Sequence, residues 1–211
     1  MNLDDAKRIW GEEWTYDIEI INETIRKVDL NKDSKILDVG TGSGIMSVCL
    51  ALHGYDVLTG EPEKGSEEHQ EYEKEMVEFE CHEEHEGHSF PDWREAVKTA
   101  GVENKITYQH LNAEQLVFPD ESFDGVFLYD ALHHIQSRAR ALEECIRVTR
   151  PNGVICVIEV NEYGSAYFLE HEGFEIEKVD PRDYIKSDEM NIEVLPGEYS
   201  NTYIMRKVKA T

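Results

Sequence analysis

Apolar residues in this chain follow two rhythms. Blocks at 36–39, 55–60, 125–129 and 154–158 are largely apolar and read as strands; the last is wholly apolar, as expected of a strand buried on both faces. Elsewhere apolar residues recur three or four apart, as in Ile18, Ile21, Ile25 and Val28 within 16–30, Ile45, Val48, Cys49 and Leu52, and Ala141, Leu142, Cys145 and Ile146 behind a possible Ser137 N-cap. This is the spacing of helices with one buried face. Helices are also expected over 3–11, 91–100 and 165–172, and strands over 105–110, 174–179 and 202–206. Strands and helices alternate along most of the chain, the pattern of an α/β domain.

The first strand carries the most information. Ile36-Leu37-Asp38-Val39 runs into Gly40-Thr41-Gly42-Ser43-Gly44 and then into a helix, which is half of a βαβ nucleotide site. Glycines at such a turn let a ligand approach the backbone closely, and the helix that follows starts with unpaired N–H groups. A dinucleotide site uses G-x-G-x-x-G, so that pyrophosphate sits on the helix N-terminus. Here the spacing is G-x-G-x-G with Asp38 two residues ahead, and a carboxylate there favours a cation over pyrophosphate. Glu61 lies 17 residues beyond Gly44, close to where nucleotide-binding βαβ units place the acid that accepts from ribose hydroxyls.

The segment 36–44 resembles motif I of the class I S-adenosylmethionine-dependent methyltransferases, and the resemblance extends over most of 34–160. It includes Leu111-Asn112-Ala113-Glu114, similar to the family's adenine-reading segment, in which Asn112 stands where Asp is commoner. It also includes Asp130-Ala131-Leu132-His133-His134-Ile135 after the fourth strand and the Arg150-Pro151-Asn152-Gly153 turn into the fifth. The resemblance implies a single doubly wound, Rossmann-like domain over 31–211, with a seven-stranded, mostly parallel sheet whose last strand is antiparallel. It further implies that 1–30 form a helical lid. Trp10, Trp14 and Tyr16 in that lid either present ring faces to a sulfonium or simply pack the helices. S-adenosyl-L-methionine is the implied cofactor and S-adenosyl-L-homocysteine its product. The implied cofactor-binding residues are Asp38, Gly40, Thr41, Gly42, Gly44, Glu61, Asn112, Ala113, Glu114, Tyr129 and Asp130. The loop 181–199, with Tyr184, Met190 and Tyr199, is expected beside the acceptor.

Residues 62–90 interrupt the family pattern as an insertion. From 61 to 90 there are twelve glutamates against two lysines, with His69, His82, His85 and His88 among them. Cys81, His82, His85 and His88, with Glu78 one helical turn before His82, suggest a divalent metal site. A solvated acidic helix over the active-site rim is the competing expectation.

The chain has 211 residues, enough for one domain with a sizeable core. It carries 45 acidic against 21 basic residues, a net charge of −24, a field that repels polyphosphates and argues against nucleic acid as substrate. That acidity is either a solubility feature, suited to a salty interior, or an attractant for a cationic ligand, a metal or a basic protein. No stretch is apolar enough to span a bilayer and the first residues do not read as a signal peptide, so a cytoplasmic protein away from membranes is expected. The four cysteines lack disulfide-like spacing, and reduced thiols are expected.

Methyl transfer requires an aligned acceptor, exclusion of water and, for some acceptors, a base. His133 and His134 suit the last role, and the family resemblance favours His134. The N/D-P-P-Y/F segment of methyltransferases acting on amide or base nitrogens is absent. The A-L-H-H-I form resembles instead the small-molecule branch that includes quinone-biosynthesis methyltransferases. The expected function is thus methylation of a small-molecule acceptor. Two alternatives remain: an adenosylmethionine-binding sensor whose acidic, His-rich insertion binds a metal or a basic partner, and a protein methyltransferase. The acceptor and the oligomeric state are not readable from the sequence.

Overall fold

A computed structural model describes residues 1–12, 15–63, 92–171, 173, 175–185 and 190–207. The interior block Lys35–Val39 forms the first strand, β1, and pairs in parallel on both sides, with β2 (Asp56–Gly60) and with β4 (Phe123–Tyr129). β3 (Ile106–Tyr108) extends the β2 side, and β5 (Thr149–Val160) extends the β4 side. Beyond β5, β7 (Ser200–Lys207) runs antiparallel to it, and β6 (Met190–Pro196) closes the edge by a hairpin with β7. The order is β3-β2-β1-β4-β5-β7-β6. The strand order reverses between β1 and β4, so their carboxyl ends open a crevice of the kind in which α/β proteins bind ligands.

Because side chains alternate across a strand, the central strands feed two cores. Ile36, Phe127, Cys156 and Ile204 point to one face, which is covered by α1 (Leu3–Trp10), α2 (Ile18–Val28), α3 (Ile45–Leu52) and α4 (Trp93–Ala100). Leu37, Val126, Leu128, Ile155 and Val157 point to the other, where α5 (Arg138–Val148) supplies Leu142, Cys145 and Val148. The doubly wound, mostly parallel sheet with its last strand antiparallel is therefore as expected. A sixth helix, α6 (Glu162–His171), follows β5.

The expected lid helices contribute to the first core. Ile18, Ile21, Ile25 and Val28 are buried along one face of α2, and Trp10 is 3% exposed, its indole Nε1 donating to the Ser43 carbonyl at 2.9 Å. Trp10 thus packs the helices onto the glycine turn, the second of the two roles left open for it; Trp14 lies outside the described residues. Cys49, Cys145 and Cys156 are free and buried, and burial pushes the Cys49 and Cys145 thiols up to about 12, which makes them apolar fillers. Among the described residues no helix is long and apolar enough to cross a membrane.

Three local expectations fail. Residues 175–179 are not a strand: Ile176 uses its carbonyl to accept from Ser165 Oγ at 2.8 Å, and Glu177 and Lys178 form ion pairs with Arg138 and Glu162. The sixth strand is instead 190–196, within the stretch expected to be a loop, and Met190 is a core residue 5% exposed. Pro151-Asn152-Gly153 does not end one element and begin another; β5 runs through it from Thr149 with an irregular register against Phe123–Gly125. Ser137 occupies the N-cap position of α5, but its side chain makes no capping bond.

Candidate functional site

The glycine turn between β1 and α3 is built on left-handed backbone, with φ of +90° at Gly40, +49° at Gly42 and +79° at Gly44. A Cβ on Gly40 would lie 2.9 Å from Ala131 Cβ, so this glycine is required by the approach of the loop after β4; a Cβ on Gly42 would meet nothing within 4 Å among the described residues. The Gly42 N–H points at Glu61, whose Oε1 accepts it at 2.6 Å. The donor that would hold a phosphate is thus met by the protein's own carboxylate. A pyrophosphate would face that charge directly, whereas a ribose diol can donate to it.

Asp38 is fully buried rather than facing the crevice. Its Oδ2 accepts from the hydroxyls of Ser47 and Thr59, the latter at 3.1 Å, while Oδ1 is buried without a partner. Burial raises its pKa to about 7. Thr41 also turns inward, its hydroxyl 2.9 Å from that of Thr59. Across the crevice Asn112 Oδ1 accepts from Glu114 N at 2.8 Å, and Glu114 Oε1 accepts from Ser137 N at 2.9 Å. Asn112 and Glu114 thereby fix the loop beyond β3 to the start of α5, with Ala113 half-buried between them.

A second group of acids sits around the carboxyl ends of β4 and β5. Glu159, 1% exposed, accepts at Oε1 from the backbone of Ala131 at 3.1 Å and Leu132 at 2.6 Å, and at Oε2 from His133 Nδ1 at 2.8 Å. These bonds hold the turn that starts at Asp130, a non-glycine residue at φ +50°. His134 lies beside His133, ring centroids 4.0 Å apart. Asp17, just ahead of α2, accepts from Ser200 Oγ at 2.7 Å and from the Tyr129 hydroxyl at 3.3 Å. Burial raises its pKa to about 7, and the nearby charges of Asp130 and Glu159 act in the same direction. Above Asp17, Tyr16 packs against Tyr167, Phe168 and Tyr199 at centroid distances of 5.6, 5.3 and 5.1 Å. Tyr16 and Tyr199 thus meet in one aromatic cluster; Tyr184 instead bonds Arg138, its hydroxyl 3.2 Å from Nη1.

The described cofactor-site residues read from the sequence lie at or just after the carboxyl ends of β1, β2, β3 and β4, with Asp38 and Thr41 buried. Sequence reasoning missed Glu159 and Asp17. Glu159 carried a usable signal, since it is a lone acid directly after the apolar run of a strand covered on both faces. Asp130, His133 and Glu159 also present three potential metal ligands within 4.8 Å of one another. The expected metal ligands Cys81, His82, His85 and His88 lie outside the described residues.

Residues 87–157 match the family described as "Methyltransferase domain". The chain is 33% identical over 69 residues to the ubiquinone/menaquinone biosynthesis C-methyltransferase UbiE of Proteus mirabilis, which covers 33% of this chain and 28% of that protein. It is 25% identical over 134 residues to the methyltransferase GfsG of Streptomyces halstedii, covering 64% of this chain and 40% of that protein. The chain thus spans less than half the length of these curated relatives. Among solved structures, a putative S-adenosyl-L-methionine-dependent methyltransferase from Methanococcus maripaludis superposes with a TM-score of 0.66 at 14% identity, over 99% of this chain and 91% of the other, a likeness of fold. The matched segment is thus similar to methyltransferase domains, and the whole chain shares its fold with the Methanococcus maripaludis structure.

Proposed function

We propose that the chain binds S-adenosylmethionine in the crevice between β1 and β4 and transfers its methyl group to a small-molecule acceptor. The observation that carries this reading is the Glu61 carboxylate over the Gly42 N–H, 2.6 Å away, which suits a nucleoside and repels a pyrophosphate. Gly40, Gly42 and Gly44 would admit the ligand to the backbone, Glu61 would accept from the ribose, and Asn112, Ala113 and Glu114 would flank the base. Tyr129 and Asp130 would close the methionine end, while buried Asp38 and Thr41 would keep the turn in shape. Bound adenosylmethionine supplies an electrophilic methyl group and leaves as adenosylhomocysteine.

The chain's own residues would supply the rest. The cluster of Tyr16, Tyr167, Phe168 and Tyr199 would shield the acceptor from water. The histidines after β4 would take up a proton where the acceptor carries one. A groove of about 430 Å³ beside α2 is lined by Glu12, Asp17, Glu19, Glu23 and Glu198, with Lys7 the one basic group among the described residues, and Lys7 is paired with Glu12. That lining disfavours polyanionic acceptors. The similarity to UbiE, a ubiquinone/menaquinone biosynthesis C-methyltransferase, supports a small acceptor.

Titration calorimetry with adenosylhomocysteine and with NADH tests the reading. Saturable heat with the first and none with the second is expected; the reverse would refute it. Mass spectrometry of an acceptor panel incubated with adenosylmethionine then identifies which class gains a methyl group.

A further inference from the structure

We infer that the groove between the start of α2 and the β6–β7 turn is a subsite for an organic cation, so that the methyl acceptor carries an ammonium group held against Asp17. The inference rests on the methyl-transfer reading above and adds to it the chemical class of the acceptor and the residue that recognises it.

Asp17 stands where an aspartate usually serves its own helix. At the N-cap position a carboxylate normally accepts from N–H groups of the first turn, but the Asp17 side chain makes no such bond to α2. It is turned into the molecule instead and is 8% exposed. Both of its hydrogen bonds, from Ser200 Oγ and from the Tyr129 hydroxyl, fall on Oδ2. Oδ1 takes none from the described residues. Among those residues only Asp38 has a side-chain oxygen sealed away without a partner, so Asp17 Oδ1 reaches open space, and Asp17 lines the groove. A nearly buried acid with one oxygen engaged and the other open has capacity for a donor from outside the chain.

The surrounding charges favour a cation as that donor. The charged groups that act on Asp17, Asp130 and Glu159, are themselves acids, and among the described residues no basic side chain pairs with it. On the adjoining wall Glu19 and Glu23 stand four residues apart on α2, an arrangement that destabilises a helix when the charges are alike. Glu198 adds a carboxylate from the β6–β7 turn, while Lys7 is taken up by Glu12. An ammonium in the groove supplies the missing countercharge. Its effect is greatest at Asp17, where burial limits screening by salt.

The rest of the lining selects an organic cation over a metal ion. About 430 Å³ is the size of a small-ligand site, Leu3, Ile20 and Pro196 give it apolar surface, and Tyr16 adds a ring of the kind that attracts ammonium groups. A metal needs several ligand atoms gathered about one point. Among the described residues that condition is met at Asp130, His133 and Glu159 and not by the acids of the groove. The groove also adjoins the crevice, because the Tyr129 hydroxyl that bonds Asp17 belongs to the last residue of β4.

Calorimetry on the full chain, with and without adenosylhomocysteine, compares three probes of similar shape: phenethylammonium, 2-phenylethanol and 3-phenylpropanoate. The ammonium is expected to bind about tenfold or more tightly than the alcohol, and the carboxylate more weakly than either. Asp17→Asn keeps an amide oxygen for Ser200 and Tyr129 but removes the charge. It should weaken the ammonium about tenfold and leave the alcohol unchanged. Glu23→Gln combined with Glu198→Gln alters two exposed side chains only and should weaken the ammonium about threefold, which keeps the test decisive if Asp17→Asn does not fold. Equal affinity for ammonium and alcohol, no ammonium heat at about 10 mM, or ammonium affinity unchanged in the variants would overturn the inference. Adenosylhomocysteine titrated alone separates the two readings. No heat there sinks methyl transfer, whereas heat there without a preference for the ammonium sinks only the class of acceptor.

Discussion

Replacing Asp38 with Asn should change how stability depends on pH more than it changes stability itself. Asp38 is completely buried, two hydroxyls serve one of its oxygens, and the other has no partner. Burial lifts its pKa from 3.8 to about 7 in the folded chain. An acid raised in this way contributes stability that is fully present below about 3.8 and is lost as the pH climbs through about 7, because the unfolded chain releases its proton first. At about 1.4 kcal/mol per unit, and with an unfolded value near 3.8, this one group removes about 2.5 kcal/mol between pH 5 and pH 8. Asn cannot ionise and loses nothing over that interval. Urea unfolding of both proteins at pH 5 and pH 8 makes the comparison, and titrations common to both cancel. Relative to the wild type, Asp38→Asn should gain about 2.5 kcal/mol between the two conditions. An equal difference at both pH values would show that Asp38 ionises inside the protein at no cost, and the burial argument would fail.

Gly40→Ala should lower adenosylhomocysteine affinity at least tenfold by calorimetry, because the added Cβ meets Ala131 at 2.9 Å on backbone at φ +90°. Wild-type affinity in that variant would mean that the turn adjusts freely. Trp10→Phe removes the bond to the Ser43 carbonyl and should cost about 1 kcal/mol in urea unfolding, with weaker ligand binding through a looser glycine turn. No change in either measurement would detach α1 from the site. Raising KCl from 0.05 to 1 M should increase the unfolding midpoint, since a net charge of −24 opposes compaction and salt screens it. A midpoint that falls over this range would contradict a self-repelling surface.

The central strands and the glycine turn were legible because local pattern and tertiary demand agree there. Ile36, Leu37 and Val39 are apolar around a single buried acid, the strand sits between two parallel neighbours, and it ends in glycines whose backbone angles suit few other residues. The sixth strand was misplaced because alternation at 175–179 is as good a strand pattern as that at 190–196. The choice between them was made by the turn: Gly197 N donates to Ser200 O at 2.9 Å, closing a short hairpin that sets Met190–Pro196 beside β7. The polar groups of the earlier segment are consumed by α5 and α6 instead. The site shows the same division. The glycines and Glu61 follow from spacing within one βαβ unit. The contact of Glu159 with His133 joins two strands' ends 26 residues apart in sequence, and that of Asp17 with Ser200 spans 183 residues. Such pairings depend on how strands are ordered in the sheet, which no local period encodes.

The two borders of the sheet also bear on self-association. An open border with unpaired backbone groups invites a second molecule to add a strand. On one side β3 is only three residues long. On the other, β6 ends in Pro196, which has no N–H to offer, and carries Glu193 engaged with Lys27 at 2.9 Å. Neither margin provides a long, uncharged template, so the architecture itself discourages molecules from joining into a continuous ribbon.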